Sequence, residues 1–285
     1  MSDKFTIHLG HSPDPDDAFM FYGLATGLLD SGPYHFLHVM EDIQTLNERA
    51  MRESGDYEIT AISLHAYPYV AKNYALMACG CSMGDNCGPM IVTKQPYTID
   101  ELRTKRIAIP GTLTTAFLAA SIALGTGAGG FRNVVKPFDQ ILQYVQDGHA
   151  AAGLIIHEGQ LTFARHGLHC CLDLGKWWTE KYELPLPLGG NVIRRDLGTI
   201  RMLELTAILK KSIQFSLDHR KDAVEYALRF GRNLDVALAD EFIGMYVNKW
   251  TLDYGPVGQR AVNKLLDEGA SAGMVPWCTP VEFIG

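Results

Sequence analysis

The chain has 285 residues, which suits one large domain or two lobes of ordinary size. Hydrophobic residues make up 47%, the formal net charge is −7 and no long basic run occurs, so there is ample material for a core and nucleic acid is not expected as the main partner. No apolar run approaches the ~20 residues that span a bilayer, and the start MSDKFTIHLG lacks a leader-like pattern, so a cytoplasmic chain off the membrane is expected.

Lys4–Leu9 alternates apolar and polar residues and predicts a strand. HSPDPDDAFMF follows it. Pro13 and Pro15 stiffen the turn, and Asp14 or Asp16 can cap a helix expected over Ala18–Leu29. Asp16 and Asp17 also complement the positive end of that helix. His35–Met40 reads as a strand and Ile43–Arg52 as a helix. Tyr57–Ile62 is a further strand, ending in Ser63, Leu64 and His65, with a helix near Ala66–Lys72. Cys79, Cys81 and Cys87 follow in ACGCSMGDNCG, whose spacing fits no common zinc pattern. No metal is expected there, and small buried thiols are.

Pro89–Lys94 and Arg106–Ile109 read as strands, and Thr115–Leu124 as a helix. Between the last two lies PGTLTT, where Thr112 or Thr114 can cap the helix while its first amides stay available to an anion. The Thr114 and Thr115 hydroxyls are further candidate donors. Val134–Phe138, Gln140–Asp147 and Ala151–Ile156 form a strand–helix–strand series that ends in His157, Glu158 and Gly159. Trp177 and Trp178 can wall an aromatic ligand or simply pack. Four helices follow, at Arg201–Leu217, Arg220–Arg229, Val236–Trp250 and Val257–Ala272.

Alternating strands and helices before a helical tail predict an α/β fold with a largely parallel sheet. One crossing between lobes is expected near Lys94–Thr98 and the return near Gly189–Arg194. Residues 1–94 and 194–285 then build one lobe and 95–193 an inserted one, with ligand between them. Parallel strands place their C-terminal ends on one edge, so the polar loops after four strands converge on one site. His157 is either a satisfied structural histidine or a general base, and the convergence favours the base. Glu158 either orients His157 or faces solvent.

HSPDPDDAFMFYGLA, PGTLTTAFLA, GLIIHEGQLTF, LPLPLGGNVIRRDL and YVNKWTLDYGPVGQRAV together make the chain resemble the 1,4-dihydroxy-6-naphthoate synthase family of the futalosine route to menaquinone. The resemblance implies a two-lobed fold like that of type II periplasmic binding proteins, with a ligand cleft between the lobes and a helical C-terminal tail. It implies a cofactor-free carbon–carbon lyase that turns cyclic dehypoxanthine futalosine, a small anionic aromatic substrate, into 1,4-dihydroxy-6-naphthoate. It places the general base at His157 and substrate contacts at Thr114 and Thr115, with Ser63, Leu64, His65, Asp14 and Asn191 as further binding candidates. Typical members read SPCPND where this chain reads SPDPDD, so Asp14 stands for a cysteine and Asp16 for an asparagine. Two added acids oppose an anionic substrate if they touch it. The alternatives are a chorismate dehydratase-like enzyme of the same pathway and a solute-binding protein without chemistry.

Overall fold

The computed structural model describes residues 4–52, 55–231 and 234–285. The first three residues of the stretch read for a leader lie outside these. The chain begins in one sheet with β1 (Phe5–His11), β2 (Tyr34–Met40), β3 (Ile59–Ser63), β4 (Tyr74–Met77) and β5 (Ser82–Gly84). It crosses to a second sheet for β6 (Met90–Thr93), β7 (Ile107–Ile109), β8 (Asn133–Val135), β9 (Ala152–Ile155) and β10 (His169–Asp173). It returns for β11 (Leu186–Arg194) and β12 (Phe283–Ile284). The strand orders are β12-β4-β11-β3-β1-β2, with β5 on β11, and β10-β6-β9-β7-β8.

Pairing moves both expected crossings. β6 pairs with β9 and β10, so Met90–Thr93 belongs to the second sheet, and the chain leaves the first between Gly84 and Met90. β11 pairs along its length with β3, β4 and β5, so the return precedes Leu186. MIVT and LPLGGNVIR are apolar enough to be buried in either sheet, and only their partners decide. Both sheets are mixed, because β6 and β11 run antiparallel to their neighbours while β1, β2 and β3, and likewise β7, β8 and β9, run parallel. Parallel neighbours keep the ends of β1 and β3 on one edge and those of β7 and β9 on another.

Local chemistry sets the elements that frame those ends. The helix Thr115–Leu124 starts where the Thr114 hydroxyl accepts the Phe117 N–H and stops at Gly125, whose φ of 63° ends it. The expected helix over Ala18–Leu29 is two shorter ones, Pro15–Met20 and Tyr22–Ala25, parted at Phe21. The expected helix over Val236–Trp250 ends at Tyr246, because Asn248 and Thr251 build a capping box that starts a new helix at Lys249. The long helix Thr199–Asp218 buries Met202, Leu205, Leu209 and Ile213 in one cluster with Ile7 and Leu9 of β1. Among the described residues no helix is long and apolar enough to cross a membrane.

Candidate functional site

A partly open cleft is lined by residues that follow β1 and β7, by Ala61–Ser63 at the end of β3 and by Ile156 just after β9. Its walls come from both sheets, with Ser12–Asp17, Ser63 and Gly189–Gly190 on one side and Pro89, Thr114–Ala116 and Ile156 on the other.

Ser63 is held by Asn47, a fully buried residue of the helix Ile43–Ala50. The Ser63 N–H donates to Asn47 Oδ1 at 2.8 Å, and Asn47 Nδ2 donates to Ser63 Oγ at 3.1 Å. Ser63 thereby keeps its own hydroxyl hydrogen for the cleft. The same helix reaches the opposite wall, where Gln44 Oε1 accepts the Leu113 N–H at 3.0 Å. Gly111 leaves room for it, since a Cβ there would lie 2.2 Å from Gln44 Oε1.

The Thr114 and Thr115 hydroxyls are engaged within the protein. Thr114 Oγ1 donates to the Gly111 carbonyl at 2.9 Å while capping Phe117. Thr115 Oγ1 donates to the Leu188 carbonyl of β11 and accepts the His65 N–H at 3.1 Å. The expectation that these hydroxyls donate to ligand is therefore corrected, because both hydrogens are already placed. The helix's own ladder begins at Leu118 N–H to Thr114 O, so the Thr115 and Ala116 amides precede its first bond at the cleft wall.

The Ser12–Asp17 turn brings three carboxyls to the same cleft. Burial pushes Asp14, Asp16 and Asp17 each up to about 7, helped by neighbouring acids: Asp16 and Glu158 around Asp14, Asp17 beside Asp16, and Asp14 near Asp17. Asp17 Oδ2 accepts the Ser12 N–H at 2.7 Å, and Ser82 Oγ donates to Asp16 Oδ2 at 3.3 Å. Asp14 occupies the N-cap position of Pro15–Met20, but its side chain makes no capping bond.

His157 is 5% exposed and lies behind the lining rather than in it. Its Nδ1 accepts the Gly159 N–H at 2.9 Å, and its Nε2 faces the Phe138 carbonyl at 2.7 Å. An amide can only donate and a carbonyl only accept, so these partners together fix the neutral tautomer with hydrogen on Nε2. Glu158 is buried, not in solvent, with Oε2 at 3.6 Å from His157 Nδ1.

Of the sequence-predicted residues, the structure brings Asp14, Ser63, Thr114 and Thr115 to the cleft. Leu64 is core, with no exposed surface. His65 lies behind the wall, its Nδ1 on the Thr114 carbonyl at 3.1 Å, and burial lowers it to about 4. Asn191 donates from Nδ2 to the Gly80 carbonyl at 2.8 Å and shapes the wall from behind. Trp178 packs in the core. Sequence reasoning missed Ser82, Phe242 and Tyr246. Phe242 and Tyr246 are four apart on the helix Val236–Tyr246, a spacing that marks one helical face but not what that face meets.

Two sheets with a cleft where their strand ends meet define a binding-protein-like fold. The alkanesulfonate-binding protein of Xanthomonas axonopodis pv. citri shares it, with a TM-score of 0.70 at 11% identity, covering 97% of this chain and 96% of that one. A protein of Archaeoglobus fulgidus matches with a TM-score of 0.88 at 42% identity, covering 95% of this chain and 98% of that one. The chain belongs to the menaquinone biosynthesis family, whose sequence model matches residues 7–271. It is 35% identical over 277 residues to the 1,4-dihydroxy-6-naphthoate synthase of Streptomyces coelicolor, covering 96% of each chain. It is 37% identical over 268 residues to the enzyme of the same name from Thermus thermophilus, covering 94% of this chain and 95% of that one.

Proposed function

We propose that this chain is a cytoplasmic lyase that converts cyclic dehypoxanthine futalosine to 1,4-dihydroxy-6-naphthoate. The observation that carries this reading is the near-full-length similarity to two relatives named for that product. The cleft suits the task. The Thr115 and Ala116 amides at the helix start are placed to receive an aryl carboxylate, and the Ser63 hydroxyl can add a donor beside them.

His157 is the proposed base. It directly follows Ile156 in the cleft wall, and its neutral tautomer is the form that can take a proton. Accepting one requires the ring to exchange the Gly159 N–H for substrate as the cleft closes. Glu158 then faces the resulting imidazolium from its place 3.6 Å from Nδ1. The proton leaves a carbon made acidic by an adjacent carbonyl. Expulsion of the sugar-derived fragment follows, and aromatisation drives the step.

Positioned general-base catalysis contributes about 10²–10⁴-fold, so His157→Ala should lower kcat by that factor and leave KM nearly unchanged. Full activity in a folded His157→Ala variant removes the base assignment.

A further inference from the structure

The cleft holds a second polar patch, on residues other than the helix start. Asp16, Ser82 and Tyr246 line it, and Ser82 Oγ donates to Asp16 Oδ2 at 3.3 Å. The Tyr246 hydroxyl donates to Gln160 Oε1 at 2.7 Å. Gln160 belongs to the short helix Gly159–Thr162 after β9 and stands just behind the lining, so this bond joins the two sides of the cleft. Gln160 is 2% exposed, and its Nε2 has no hydrogen-bond partner among the described residues. A buried amide donor without a partner is costly, and a polar ligand is one way to satisfy it.

We infer that Asp16, Ser82 and Tyr246, backed by Gln160, form a subsite for neutral hydroxylated groups, here the sugar-derived part of the substrate. The inference rests on the lyase reading above. Donors and acceptors in the patch match those of an alcohol. The Tyr246 oxygen, having given its hydrogen to Gln160, accepts; the Gln160 amide donates; the Asp16 carboxyl accepts and, when protonated, donates. Alcohols do both at one atom. An ammonium group cannot use the Gln160 donor, and an anion meets the acids at 14, 16 and 17. Burial that raises Asp16 towards neutrality favours the uncharged partner further.

The test uses the full chain and compares KM for cyclic dehypoxanthine futalosine with the inhibition constant of 1,4-dihydroxy-6-naphthoate, which lacks the hydroxylated fragment. Asp16→Ala and Tyr246→Phe should each raise KM roughly tenfold, the size expected for one hydrogen bond, with kcat and the naphthoate constant little changed. Asp16→Asn, which keeps an acceptor and gains a donor, should restore KM. If Asp16→Ala does not fold, Tyr246→Phe carries the test. The subsite is wrong if wild-type protein turns over the substrate and the variants keep its KM, or if KM and the naphthoate constant rise together. Absence of wild-type turnover instead overturns the lyase reading on which the subsite stands.

Discussion

Replacing Asp16 by asparagine tests the electrostatics of the Ser12–Asp17 turn. Asp16 is 9% exposed, and burial, aided by Asp17, moves its pKa from 3.8 to about 7. At 1.36 kcal/mol per decade this is worth at most ~4 kcal/mol. Between these two pH values the folded chain holds the proton that the unfolded chain has released, so stability falls as pH rises. The stabilisation is complete below about pH 3.8 and is lost as pH passes about 7. Local relaxation and water penetration soften the burial penalty behind this ceiling, so the variant should gain roughly half of it, ~2 kcal/mol, at pH 8. For a chain of this size that raises Tm by roughly 5 °C, while at pH 5, about a third of the way through the window, the gain should be roughly a third as large. Thermal unfolding followed by circular dichroism at pH 5, 6, 7 and 8 measures this directly. A Tm difference that stays constant or shrinks with pH would refute the reasoning.

Asn47→Ala strips the buried partners of the Ser63 N–H and Oγ and should cost ~2–4 kcal/mol, read as a lower urea midpoint; an unchanged midpoint contradicts the Asn47–Ser63 clamp. Thr114→Ala removes the cap on Phe117 and should cost ~1 kcal/mol, with Thr114→Ser regaining most of it in the same titration. Gly80→Ala should cost ~2 kcal/mol or more, because φ is +77° and the new Cβ would lie 2.3 Å from Asn191 Nδ2. Wild-type stability in that variant would show that the Gly80–Asn191 contact does not shape the wall.

The site was legible where one local rule set the position. A polar loop at the end of a parallel strand points to the binding edge, and the turns after β1 and β7 lie there with Ser63, the last residue of β3. PGTLTT was readable as a helix start because capping is a matter of a few neighbouring residues. What the threonine hydroxyls bond was not readable, since the Leu188 carbonyl and the His65 amide come from segments remote in sequence. The same holds for His157, whose partner Phe138 lies 19 residues away. The two crossings were misplaced because β6 and β11 read as buried strands whichever sheet they join. Tyr246 carries no sequence motif, and its bond to Gln160, a residue 86 positions away, is set by the tertiary fold alone.

The central claim is that this cleft carries out one particular lyase reaction. Purified protein should be incubated separately with cyclic dehypoxanthine futalosine and with chorismate, and the products followed by absorbance and mass. The account predicts 1,4-dihydroxy-6-naphthoate from the first and no change in the second. Turnover of chorismate alone, or of neither compound by folded protein, would contradict it.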